Sequence, residues 1–197
     1  MSKGEGNSGK GENVGNDENK NRSRYSVIDH TADIGLETRG TTIEEAFGNA
    51  AFGMFDILSD GSTIDVTTSL LLEVDGHDLE ELLVNFLTEL LYLYDVEGVL
   101  FREFLINISQ RKNKLRDAGG EGGSGGDGTE RGLLDTSETD RNENGENDEE
   151  EWKLTCEAKG EPFDIGKHKY PLEIKAVTYH MLKATMEPPY VRVIFDL

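Results

Sequence analysis

The sequence predicts an α+β fold: a single compact domain in which two amphipathic helices pack on a mostly antiparallel sheet. Two segments carry apolar residues at helical spacing directly behind capping residues, and seven others read as strands. The strands do not alternate regularly with the helices, as a doubly wound parallel sheet would require.

YSVID and IGLET come first as short strands, the second alternating Ile34, Leu36 and Thr38. Thr41 and Thr42 then stand three residues ahead of Glu44 and Glu45. That is the spacing of a capping box, in which hydroxyl and carboxylate satisfy the orphan N–H groups of a first helical turn. Behind the cap, Ile43, Phe47, Ala50, Met54 and Leu58 fall on one face, so the helix should end near Ser59-Asp60-Gly61. VTTSLLLEV alternates Val66, Thr68, Leu70, Leu72 and Val74 as a half-buried strand does. Asp78 caps a second helix whose Leu79, Leu82, Leu83, Phe86, Leu87, Leu90 and Leu91 form a face broad enough for a central position, with Val84 and Leu93 beyond it. VLFREFLINISQ, WKLTCEA, LEIKAVTYHMLKA and YVRVIFD follow as strands.

Residues 1–24 have almost nothing to bury and should form a disordered tail. The domain is expected over 25–197, interrupted at about 117–151 by an acidic, glycine-rich insertion whose apolar content is the pair Leu133-Leu134. Loop-closure entropy grows slowly with length, so a disordered insertion between two strands is tolerated.

The formal net charge is −20, unevenly spread: about −11 over 25–116, about −11 over 117–151, and about +1 over each end. A surface this acidic repels phosphate backbones, which disfavours tight direct nucleic-acid binding and favours a basic protein partner or a cation. The single Cys156 makes no internal disulfide, no stretch resembles a signal peptide, and no run of apolar residues is long enough to span a membrane. The expectation is a cytoplasmic or nuclear protein.

No phosphate-binding loop, dinucleotide-binding turn, nucleophile elbow, H-E-x-x-H pair or C-x-x-C clamp is present. Cys156 alternates with Trp152, Leu154 and Ala158 and reads as an inward packing residue rather than a nucleophile. No two histidines have metal-binding spacing: His77 and His168 fall in predicted turns, and His180 lies on a strand. DHTADIG places Asp29 and Asp33 around His30, which allows an acid/base reading that lacks a nucleophile. The carboxylates are more suggestive. If YVRVIFD pairs beside DHTADIG, Asp33 and Asp196 converge with the terminal carboxylate of Leu197, a set that attracts a hard divalent cation. Asp60, at the end of the first helix, is a further candidate with His30 and Asp29. Spacing alone leaves the bland alternative open, with Asp33 capping a turn and Asp196 solvated.

Five segments together resemble the archease family, accessory proteins of the RtcB-type tRNA-splicing ligase. They are DHTADIG, GTTIEEAFGNAAFGMFDILSD, LLVNFLTELLYLYDVEG, GEPFDIGKHKYPLEIKAVTYH and the final VRVIFDL, and they cover 25–110 and 156–197 in the family's order. The resemblance implies a compact α+β domain that is not itself an enzyme and has no catalytic residue of its own. It implies a partner, the ligase, whose guanylylation and repeated turnover it promotes during tRNA splicing. It also implies a metal site, usually described with calcium, formed here by Asp33, Asp196 and Leu197. The alternative is a metal-binding protein-interaction module or chaperone not dedicated to a ligase. The tail and the acidic insertion stand as additions to the family's usual compact length.

Overall fold

The computed structural model describes residues 24–29, 33–113, 149–169 and 172–197. Residues 1–23, His30 and residues 114–148 of the acidic stretch lie outside them. In chain order the elements are β1 (Tyr25–Asp29), β2 (Asp33–Arg39), α1 (Ile43–Leu58), a short 3₁₀ turn (Gly61–Thr63), β3 (Thr68–Gly76), α2 (Leu79–Glu97), β4 (Val99–Asn113), β5 (Glu149–Pro162), β6 (Ala176–Met186) and β7 (Pro189–Asp196).

The class is α+β as expected, but the strands form two antiparallel sheets rather than one. The first has the order β1-β2-β7-β6 and the second β3-β5-β4. Helix α1 packs on β2 and β7 of the first sheet and on β4 of the second, whereas α2 packs on β6 of the first and on β3 and β5 of the second. The helices therefore lie between the sheets. This is why α1 buries residues all round, Phe52 and Ile57 included, and not only the predicted stripe. Phe47, Phe55, Phe86, Phe101 and Phe195 fill the centre, each fully buried.

Three boundaries differ from the sequence reading. Val66 is 46% exposed and precedes β3, so the strand's alternation starts at Thr68. Residues 172–175 are not in a strand; β6 begins at Ala176 because that is where its pairing with β7 begins, opposite Asp196. Glu149, Glu150 and Glu151, read as part of the insertion, instead extend β5, opposite Asn113, Lys112 and Arg111 of β4. A long hairpin prolongs itself by backbone pairing, whatever the composition.

Both helices start the same way. Thr42 accepts the N–H of Glu45 (3.2 Å) and Glu45 reaches back to the N–H of Thr41 (2.6 Å). Asp78 accepts the N–H of Glu81 (2.7 Å) and Glu81 reaches back to the N–H of His77 (2.8 Å). Each glutamate thus satisfies the N–H one residue before the cap rather than that of the cap itself. Seven residues into each motif, Asn49 and Asn85 donate to the carbonyls of Arg39 and Asp75, both at 2.8 Å. Gly40 and Gly76 precede the caps, and a Cβ at either would approach a helix N–H, that of Ala46 at 2.7 Å or Leu82 at 2.6 Å.

These correspondences share one offset, 36 residues, and so do Glu37 with Glu73 and Glu44 with Glu80. The register extends them. Asp33, Gly35 and Glu37 face Asp196, Ile194 and Arg192, while Ser69, Leu71 and Glu73 face Lys159, Glu157 and Thr155. The fold is one β-α-β-β plan used twice, β3-α2-β4-β5 being nested inside β2-α1 and β6-β7. The repeat was present in the sequence as matching Glu, Gly and Asn positions, too sparse to stand out before the hydrogen bonds gave them meaning.

Candidate functional site

Strand β2 begins at Asp33 and β7 ends at Asp196, and the antiparallel register sets these two residues directly opposite each other. They share the outer face of the first sheet with Gly35, Glu37, Arg192 and Ile194. The alternate positions Leu36, Thr38, Val193 and Phe195 are buried against the helices. Asp196 is exposed and Asp33 half-exposed. Ile194 is buried on this outer face because Gly35 makes room for it: a Cβ there would stand 2.7 Å from its Cδ1.

The other partner of Asp196 is Ala176 of β6, and the residue before it, Lys175, closes the end of the chain. Its N–H donates to the Asp196 carbonyl (2.9 Å) and its Nζ to the main-chain oxygen of Leu197 (2.6 Å). Lys175 had no assigned role in the sequence reading. Its only sequence signal is its place in LEIKAVTYH, immediately before the strand that flanks Asp196.

The supporting candidates fare differently. Asp29 pairs through its backbone with Ile34, and its side chain, like His30, lies outside the described residues. Asp60 belongs to the turn after α1, where its carbonyl accepts the N–H (3.0 Å) and hydroxyl (2.8 Å) of Thr63. Among the described residues no group of three His, Cys, Asp or Glu side chains is placed to hold a metal ion. What the register brings together is two side-chain carboxylates with the Leu197 main chain beside them. This donor set is all oxygen, which suits a hard cation such as Ca²⁺ or Mg²⁺ and not a thiophilic metal. The Lys175 ammonium stands as a competing positive charge on the Leu197 oxygen.

Further along the same face, Glu37 Oε1 accepts from the Tyr190 hydroxyl (2.7 Å) and from Arg192 Nε (2.8 Å), with the Arg192 Nη2 on the same oxygen. The Tyr190 hydrogen bond first, then the guanidinium, hold the Glu37 carboxyl below its usual range. A second cluster is structural. Buried His168 takes the Asp164 N–H on Nδ1 (2.9 Å), so Nε2 carries the proton toward Glu161 at 3.1 Å. Glu161 also binds Lys167. Burial raises the Glu161 carboxyl, but Lys167, the Asp65 N–H and His168 together bring it below the normal range. The predicted turn is therefore a clamped loop. Cys156 is 2% exposed and its thiol is pushed up to about 12, by burial and then by Glu157, which bears out the inward packing role. A groove of about 740 Å³ between α1 and β4, lined by Arg24, Arg39 and Arg102 among others, contains none of the candidate carboxylates.

The model of the Archease protein family matches residues 25–123 and 130–197. The chain belongs to the archease family. The match runs into the acidic stretch and breaks only between 123 and 130. "Protein archease" of Pyrococcus furiosus is 34% identical over 165 residues, covering 84% of this chain and 90% of that protein. "Protein archease" of Methanosarcina barkeri is 35% identical over 162 residues, covering 82% and 86%. The solution structure of Methanobacterium thermoautotrophicum protein 1598 superposes with a TM-score of 0.61 at 28% identity, covering 89% of this chain and 99% of that one. Family membership accounts for the α+β fold. Among the described residues no helix is long and apolar enough to cross a membrane.

Proposed function

We propose that this chain is a non-catalytic accessory protein of an RtcB-type tRNA-splicing ligase, promoting the ligase's guanylylation and repeated turnover. Asp33, Asp196 and the Leu197 terminal carboxylate are the residues that would hold a divalent cation, calcium by resemblance to the family. The observation that carries the reading is the cross-strand placement of Asp33 opposite Asp196. Two carboxylates opposed at a strand end, with the Leu197 main chain beside them, offer a hard cation oxygen ligands from two strands.

A bound divalent ion would supply a Lewis-acidic centre at the interface. The chain's own contribution is positioning. The β2–β7 pairing fixes the two carboxylates at a sheet end, and Lys175 holds the last residue beside them. From there Asp33 and Asp196 reach the metal–nucleotide centre of the ligase and favour its reactive conformer. The net charge of −20 speeds encounter with a basic partner and makes it salt-dependent.

A chaperone or general protein-interaction module would need the apolar faces of the two helices to be open to clients. Leu82, Leu83, Phe86 and Leu90 of α2, like Phe47 and Met54 of α1, are fully buried between the sheets, which removes that surface.

The test is ligation of cleaved tRNA halves in excess over a limiting ligase, with and without the chain. Many products per ligase molecule only in its presence are expected. Asp33→Ala should abolish the effect. Unchanged turnover with Asp33→Ala at saturating divalent cation would refute the metal-presenting role.

A further inference from the structure

Strand β6 is an edge of the first sheet, and its pairing with β7 is interrupted. Thr178 pairs with Ile194 and Lys183 pairs with Arg192, so Tyr179, His180, Met181 and Leu182 occupy the span that Val193 alone fills on β7. Leu182 turns inward against the core. The other three are pushed out: Tyr179 is 62% exposed and Met181 50% exposed, and His180 is also exposed. Met181 takes φ 52°, a left-handed conformation that an unbranched L-residue adopts only at a cost.

The nested second copy of the plan is an internal control. There β4 stands where β6 stands, and Leu105, Ile106 and Asn107 pair without interruption with Glu157, Cys156 and Thr155. One half-buried residue, Ile106, fills the place that takes four residues in β6. The inner copy has its own register shift, but that lies between Phe101 and Glu103; at the place of the β6 bulge it runs straight, and the three extra residues there are an addition to the plan. Blunting an edge strand against aggregation is one use of a bulge, but that use is served by lysine, proline or a polar residue rather than by an exposed tyrosine and methionine. Those two are types enriched at the centres of protein interfaces.

The added segment occurs on the sheet that carries the carboxylates, and Val193 is three residues from Asp196, about 10 Å along the strand. Anything that brings a macromolecular centre onto Asp33 and Asp196 must also cover this rim. Resting on the function proposed above, we infer that the Tyr179–Met181 bulge is the docking rim for the ligase. Its partner surface is a basic protein face with an apolar socket beside the metal–nucleotide centre. The carboxylates and the net charge of −20 provide the complementarity that selects such a face. The interrupted pairing excludes main-chain strand addition along this stretch, so the contact is made by side chains.

The experiment titrates the chain into the limiting-ligase assay as wild type, Tyr179→Ala and Met181→Ala, with thermal melts of each. Truncating an anchor at an interface centre raises the concentration for half-maximal activation about tenfold or more, at unchanged maximal turnover and unchanged melting temperature. Deleting residues 179–181, which restores the one-to-one pairing that the inner copy has at this point, should have a larger effect. If that deletion does not fold, the point variants decide. Unchanged half-maximal concentrations in both point variants overturn the inference. So does a fall in maximal turnover alone, which would move these residues into the chemistry. Loss of self-association in sedimentation with activation intact also overturns it, assigning the rim to a second copy of the chain. Failure of the wild type to activate any ligase would instead overturn the proposed function.

Discussion

Replacing Asp196 with asparagine should stabilise the metal-free chain, although it should destroy the activity proposed for it. Asp33 and Asp196 are opposite residues of an antiparallel pair, and the Cβ atoms of such residues lie about 5 Å apart. Two unit charges at about that separation in a water-like dielectric repel by ~0.8 kcal/mol. Asparagine keeps the shape and removes one charge. The expected gain is about 0.5–1 kcal/mol, a rise in Tm of about 2 °C for a protein of this size. Thermal unfolding by circular dichroism in chelator at low ionic strength measures it. In about 1 M salt, where the screening length is about 3 Å, the gain should disappear. Adding calcium should raise the wild-type Tm and leave that of Asp196→Asn nearly unmoved, because only the wild type retains the full site. A lower Tm for Asp196→Asn at low salt, or a gain that survives high salt, would show that the two carboxylates do not face each other as charges.

A Cβ at Gly160 would stand 1.8 Å from the Leu100 carbonyl oxygen and 2.8 Å from the Phe101 Cα. Because these are backbone atoms, Gly160→Ala should cost about 3 kcal/mol or more and lower the Tm in calorimetry by at least about 6 °C. The Glu37 carboxyl is held below its usual value by Tyr190 and Arg192, so its stabilising contribution is present above the unfolded pKa of about 4.3 and lost as pH falls through the lower folded value. The Tm difference between wild type and Glu37→Gln should therefore be widest near neutral pH and shrink as the pH falls below about 4.3. With its thiol near 12 and its side chain buried, Cys156 should resist a disulfide reagent at pH 8 in the native state and react once unfolded; rapid native labelling would contradict the inward orientation.

The helices were legible because their signals are local. Thr42 with Glu45 and Asp78 with Glu81 are three residues apart, and the helical stripe repeats every few residues, so a short window contains the information. Strand positions were legible for the same reason wherever one face is buried and the other solvated, as in Leu70, Leu72 and Val74 of β3. Alternation failed where pairing, not pattern, sets the boundary. Residues 172–175 alternate well but stop short of the β6–β7 ladder, which starts at Ala176, whereas Glu149–Glu151 look like linker and pair. The bulge at Tyr179–Leu182 was missed because a strand pattern assumes a continuous pleat, and only the partner strand shows that four residues face one.

For the candidate site, composition and spacing supplied the residue types and the condition under which they would meet. They did not supply the meeting itself. Asp33 and Asp196 stand at opposite ends of the folded sequence, and no local preference acts over that distance. What seats them opposite each other is the β2–β7 register, fixed by the burial of Leu36, Val193 and Phe195 against the helices on the inner face. Sequence alone thus determined where helices begin, which strands are half-buried and which oxygen-bearing groups are available. The division into two sheets, the enclosure of both helices, the role of Lys175 and the rim beside Asp196 were decided only by long-range packing, because each depends on groups brought together by the whole core.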